Sequence, residues 1–268
     1  MLIKNVKEEN YMMARQDDML IFLHILKTGG STLQAILQKQ YSEWILTNEN
    51  EKVLNNETIK ELLIEHKIEK VNCLFGHFPY GVHNQFTKPY KYITFLREPV
   101  DRVISLYYYI KNTKEHSMYH ALQEVSLQEF IFREDYKHLV CNHQTGFLSG
   151  EFSLITGYKN KPSLSLAIQN ITKDFATVGI MEMYEESLYL MKQNFKWSEQ
   201  VFNYSKQNVN KSRPLREQIP QELISQIVEL NKLDGELYSF AKKRLLEALK
   251  KLTPLEKEQL ANFKQSVH

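Results

Sequence analysis

The chain has 268 residues, 43% of them hydrophobic and 25% charged, with a formal net charge of +2. That length suits one large domain, and with no linker-like stretch a single domain over residues 1–268 is expected, its core covering about 19–252. So small a charge gives no electrostatic footprint for a nucleic-acid partner, and no apolar run nears the ~20 residues needed to cross a bilayer.

Met1 to Asp18 is too polar and acidic for a secretory leader, so the expected setting is cytoplasmic. Met19 to Ile25 is a short apolar run that stops at a Lys-Thr-Gly-Gly turn and predicts a buried strand. From Ser31 to Gln40, Leu33, Ile36 and Leu37 fall at helical spacing, with Gly30 or Ser31 as the cap. Thr58 to Glu61 forms a capping box backed by Ile59, Leu62 and Leu63. Val71 to Phe75 and Lys91 to Leu96 read as two more buried strands, ending at Gly76-His77 and at Arg97. Pro99 suits the first turn of a helix running to about Lys111.

Ser126 and Glu129 form a second capping box, opening a helix through Phe132. Ser149 to Pro162 reads as loop, Phe175 to Ile180 as a fourth strand and Glu185 to Phe195 as a helix. Asn203 to Pro220 is polar and irregular. Gln221 to Leu252 repeats apolar residues at three and four and predicts a long amphipathic helix kinked at Gly235. The only cysteines, Cys73 and Cys141, make no disulfide framework and lack metal-site spacing, and Cys73 reads as a buried thiol.

Strands alternating with helices predict a three-layer α/β fold, with a central parallel sheet flanked by helices. Ligands of such sheets bind beyond the carboxyl ends of the strands, and Lys27, His77 and Arg97 each follow a predicted strand. The Lys27-Thr28-Gly29-Gly30-Ser31-Thr32 turn has the parts of an anion cradle. Its glycines allow close backbone approach, helix-start amides attract negative charge, three hydroxyls donate and Lys27 adds a full charge. The lysine precedes the glycines, so this differs from the nucleoside-triphosphatase loop, in which Gly-Lys precedes Ser or Thr. Arg97 and Ser105, two helical turns on, can face one crevice edge, where a guanidinium and a hydroxyl would grip a phosphate. A plain turn at Lys27, and an ion pair of Arg97 with Glu98 or Asp101, are the alternatives.

Taken together, these segments resemble the sulfotransferases that use 3'-phosphoadenosine 5'-phosphosulfate (PAPS), in particular the group that includes heparan sulfate 2-O-sulfotransferase. Ile25-Leu-Lys-Thr-Gly-Gly-Ser-Thr32 resembles the family's phosphosulfate loop, with Leu26 where the family usually has Pro. Leu96 to Tyr109 is similar to its 3'-phosphate segment, and Gly76-His77-Phe-Pro-Tyr80 to its Gly-His-x-x-Tyr segment. His143 to Gly150, Thr177 to Glu182 and Leu233 to Tyr238 resemble further landmarks, in order from about Met19 to Ala241.

The resemblance implies a sulfotransferase fold, PAPS as co-substrate without a metal, and transfer to a hydroxyl-bearing acceptor, a glycan or a small molecule. It implies that residues 27–32 hold the 5'-phosphosulfate, that Arg97 and Ser105 hold the 3'-phosphate, and that His77 is the base. His83 is the competing base, and His24 reads as a core or sheet-edge residue. Asn208 to Pro214 resembles a late loop that closes over the nucleotide, where Lys211 and Arg213 would reinforce the grip. Golgi members usually carry an N-terminal anchor, so this chain reads as a free-standing or bacterial-type catalytic domain. An ATP-dependent small-molecule kinase with a degenerate loop, or a silent nucleotide-binding protein, are the competing functions.

Overall fold

The computed structural model describes residues 18–46, 60–61, 64, 68–153, 157–158, 160–202, 214 and 216–266. Thr58 and the apolar residues behind it, Lys211 and Arg213 all lie outside the described residues.

Five strands, β1 (Met19–Leu23), β2 (Trp44–Leu46), β3 (Cys73–Gly76), β4 (Tyr90–Leu96) and a strand at Phe175–Ile180, form one sheet. The order is β2-β3-β1-β4 and then the Phe175–Ile180 strand, and every pairing is parallel. Parallel strands buried on both faces carry continuous apolar runs, and all five residues of β1 are fully buried. Helices cover the sheet, so the expected three-layer α/β architecture is the one observed.

From β1 the chain passes through helix α1 (Gly30–Gln40) to one side of the sheet. From β4 it passes through helix α2 (Pro99–Asn112) to the other side. The crevice beyond the carboxyl ends of β1 and β4 is therefore the point where the strand order reverses, the usual ligand position in an open α/β sheet. Pro99 stands at the start of α2, and the Glu98 side chain caps it by accepting from the Asp101 amide.

The Ser126 capping box is formed, opening helix α3 (Leu127–Phe132), and α4 (His143–Ser149) follows. Within the segment read as loop, Phe152–Ser153 and Gly157–Tyr158 pair as a short antiparallel ladder, β5 and β6. Helix α5 (Leu164–Asp174) leads directly into the Phe175–Ile180 strand, now β7, and helix α6 is Tyr184–Phe195. Strand β2, only three residues long, has too little pattern to be seen in the sequence.

The long C-terminal helix breaks at Asn231 and not at Gly235, giving α7 (Gln221–Leu230) and α8 (Lys232–Lys250), followed by α9 (Pro254–Ser266). The cause is a reciprocal contact between two asparagine side chains and the backbone. Asn231 Oδ1 accepts from the Asn142 amide at 3.0 Å, and Asn142 Oδ1 accepts from the Leu233 and Asp234 amides at 3.0 and 3.2 Å. Gly235 has open space where its Cβ would stand and lies inside α8.

Next to this clasp the Asp234 carboxylate, fully buried, accepts from the Gln144 amide (3.1 Å), the Thr145 amide (2.7 Å) and the Thr145 hydroxyl (2.7 Å). Burial pushes its carboxyl above the usual range, opposed by the nearby Arg102 charge and the Thr145 and Gln144 hydrogen bonds. Removing a buried acceptor leaves its donors unsatisfied at about 1–3 kcal/mol each. Asp234→Ala is therefore expected to lower the Tm on the order of 10 °C in a calorimetric melt.

Candidate active site

The turn after β1 is built from two left-handed residues. Lys27 has φ 66° and Gly29 φ 87°. Left-handed backbone is costly for a residue with a side chain, and such strain gathers at functional sites. The buried Thr28 hydroxyl steadies the turn by donating to the Ile25 carbonyl at 2.9 Å. Gly29, and neither Gly30 nor Ser31, stands at the N-cap of α1, with no side-chain cap hydrogen bond. The first turn of an 11-residue helix thus opens on the crevice with its amides and dipole favouring an anion.

Both glycines are required sterically. A Cβ on Gly29 would overlap the Met181 sulfur, and one on Gly30 would overlap the His24 ring. The Tyr184 hydroxyl donates to the Gly29 carbonyl at 3.2 Å, so the segment after β7 closes the turn from the far side. Thr28 and Thr32 are buried and Ser31 is half-buried.

Arg97 follows β4, and its Nη1 donates to the Lys27 carbonyl at 3.2 Å, bringing the two predicted segments into contact. Its backbone is gripped from both sides by one side chain. Gln144 Oε1 accepts from the Arg97 amide and Gln144 Nε2 donates to the Arg97 carbonyl, each at 2.9 Å. The Glu98 carboxylate meets Arg216 at 3.1 Å and the Asp101 amide at 2.8 Å. Ser105, half-buried on α2, lies four residues before Tyr109, on the same helix face. The ring of Tyr109 lies 3.6 Å below the Lys27 ammonium, so this face of α2 borders the turn.

His77 follows β3 and is nearly buried, at 6% exposure. Its Nδ1 lies 2.7 Å from the His24 carbonyl oxygen. A carbonyl only accepts, so Nδ1 carries the proton and Nε2 of the neutral ring keeps its lone pair. The His24 ring stacks on His77 with centroids 4.3 Å apart and on Phe22 at 5.2 Å. His24 is thus a buried residue just past β1 that holds both His77 and Gly30.

His83 goes elsewhere. It stacks on Tyr90 at 4.5 Å and meets the Tyr92 hydroxyl at 3.0 Å, at the start of β4. Arg97 follows the opposite, carboxyl end of that strand. Tyr80 donates to Asp174 in this same distal group.

Gln144, Asp234 and Tyr184 were not singled out as site residues by sequence. The His143 to Gly150 and Leu233 to Tyr238 landmarks contain two of them, yet only the fold shows that Asp234 holds Gln144 and Gln144 holds Arg97. Among the described residues no group of three or more His, Cys, Asp or Glu is placed to hold a metal ion. No helix among them is long and apolar enough to cross a membrane.

Residues 9–241 match the model of the Sulfotransferase family, and the chain belongs to that family. It is similar to heparan-sulfate 6-O-sulfotransferase 3-B of Danio rerio, with 23% identity across 86% of this chain and 64% of that protein. It is also similar to heparan-sulfate 6-O-sulfotransferase 2 of Gallus gallus, with 25% identity across 86% of this chain and 68% of that protein. The chain thus spans about two thirds of the length of these relatives. A solved mouse sulfotransferase complexed with PAP aligns over 93% of this chain and 83% of its own, with 14% identity and a TM-score of 0.36.

The two helix-bound glycines give opposite expectations. Gly30→Ala overpacks against a wedged ring and should cost about 1–3 kcal/mol, whereas Gly235→Ala, in open space within a helix, should gain about 0.5–1 kcal/mol. Thermal melts should show a clear fall in Tm for the first and a rise of about 2 °C for the second.

His24 and His143 are both held well below the ordinary imidazole value, mainly by burial and then by neighbouring positive charge. Below about pH 6.5 the unfolded chain binds protons that the folded chain refuses, so stability rises with pH through that window. Acidification from pH 7.5 to 5.5 should lower the Tm, and His24→Phe should flatten that dependence.

Proposed function

We propose that this chain is a PAPS-dependent sulfotransferase that moves a sulfuryl group onto an acceptor hydroxyl of a sugar or polysaccharide. The observation that carries the reading is the contact of the Lys27 turn with Arg97 at the sheet's switch point, within a chain of the Sulfotransferase family. The crevice fits the donor nucleotide: a glycine turn with no room for side chains, a helix start facing it, and two cations from different strands. PAPS, when bound, would supply the sulfuryl group, with 3'-phosphoadenosine 5'-phosphate as the leaving group.

In this reading residues 27–32 hold the 5' end. Lys27, Thr28, Gly29, Gly30, Ser31 and Thr32 supply charge, amides and hydroxyls, and Lys27 stabilises the negative charge that grows on the departing oxygen. Arg97 and Ser105 hold the 3'-phosphate, a fork and a hydroxyl on one edge. Lys211 and Arg213 add to that grip from the late loop. His77, protonated on Nδ1 by its bond to the His24 carbonyl, receives the acceptor's proton on Nε2. As in phosphoryl transfer, positioning and electrostatics do most of the work. The names of the two relatives make heparan sulfate the first acceptor to assay.

Thermal unfolding with 3'-phosphoadenosine 5'-phosphate (PAP), ADP and ATP with magnesium tests the donor. At a hundredfold excess over Kd, PAP should stabilise the fold by about 2.7 kcal/mol, a shift on the order of 5–10 °C. A shift with ATP and magnesium alone would point to a kinase instead. With labelled PAPS and desulfated heparan sulfate, His77→Ala should lose at least a hundredfold in kcat while still binding PAP.

A further inference from the structure

We infer that Tyr109 is a positioning residue for Lys27, its ring face fixing where the lysine's charge stands without cancelling it. The inference rests on the donor-binding role given to Lys27 above. The ammonium lies 3.6 Å from the centroid of the Tyr109 ring, well inside the ~6 Å reach of a cation–π contact. Two other features make the arrangement definite. Lys27 sits in left-handed backbone with its carbonyl bound by Arg97, which fixes where its side chain starts. The Tyr109 ring is met edge-on by His116 at 5.7 Å, which fixes where the side chain ends.

The neighbouring tyrosines do different work. Tyr107 is buried, and its hydroxyl donates to the Val125 carbonyl at 2.8 Å. Tyr108 packs edge-on against Tyr107 at 5.0 Å. Of the three consecutive tyrosines, Tyr109 carries the lysine contact, on the face of α2 that also bears Ser105.

The choice of an aromatic ring has a physical reason. A lysine stem is long and mobile, so an ammonium left in solvent must be ordered when the anion arrives. A carboxylate in place of the ring would order it, yet would form an ion pair and compete with the incoming phosphate. A ring quadrupole attracts the cation and leaves its net charge intact for the anion. The donor's 5' end then meets a charge already in position, which is how preorganisation raises affinity.

The test is a double-mutant cycle on binding of PAP, read by titration calorimetry, which needs no acceptor. Tyr109→Leu should weaken PAP binding about fivefold, and Tyr109→Phe, which keeps the ring, should stay within twofold of the starting protein. In a Lys27→Ala background, Tyr109→Leu should bring no further loss, because the residue acts only through the lysine. Equal losses from Tyr109→Leu with and without Lys27 would overturn the inference, as would a Tyr109→Phe variant as weak as Tyr109→Leu. Unchanged PAP affinity in Lys27→Ala alone would instead overturn the role of Lys27 and this inference with it. If the starting protein binds no PAP, the donor assignment itself fails. Melts of all variants without ligand show whether each is folded, and Tyr109→Phe keeps the comparison informative if Tyr109→Leu is not.

Discussion

The site depends on one constraint, the side-by-side parallel pairing of β1 and β4 with the chain leaving them in opposite directions. That pairing puts the turn after β1 and the arginine after β4 within hydrogen-bond reach although seventy positions separate Lys27 from Arg97. It also leaves a crevice between α1 and α2, with one helix start and two cations at its edge. No local interaction could bring these groups together. The apolar burial that drives the sheet, with β1 wholly enclosed, is what holds the polar groups in place.

A second layer of polar contacts fixes what the sheet only places. The chain Asp234 to Gln144 to Arg97 is continuous: a buried carboxylate holds the start of α4, and the Gln144 side chain grips the backbone of the arginine. Asn142 and Asn231 hold α8 at the position this requires. Buried polar networks are costly unless every member is satisfied, and here the satisfied members are the ones that hold the Arg97 backbone. Helix α8 is therefore tied to Arg97 through Asp234 and Gln144.

The two histidines illustrate how one contact can serve two purposes. The His24 carbonyl sets the tautomer of His77, and the His24 ring supports His77 on one side and occupies the space beside Gly30 on the other. The His77 ring and the glycine turn thus share a single buried neighbour. Neutral and wedged beside Gly30, His24 ties the end of β1 to the residue that follows β3.

The sequence alone determined the strands at Met19, Val71, Lys91 and Phe175, the Ser126 capping box and the two loops that carry Lys27 and Arg97, because each is written in local terms: apolar runs, caps, and glycines that allow left-handed turns. Similarity to known sulfotransferases was legible for the same reason, since its motifs are contiguous. Only the tertiary structure set His77 against the His24 carbonyl just past β1 and His83 against Tyr90 and Tyr92 at the start of β4, although both follow the same strand. It also moved the helix break from Gly235 to Asn231, where the Asn142 side chain accepts from the first amides of the new helix. Likewise it gave Gln144, Asp234, Tyr184 and Tyr109 their places, because a hydrogen bond or ring contact between distant segments leaves no periodic trace in either one.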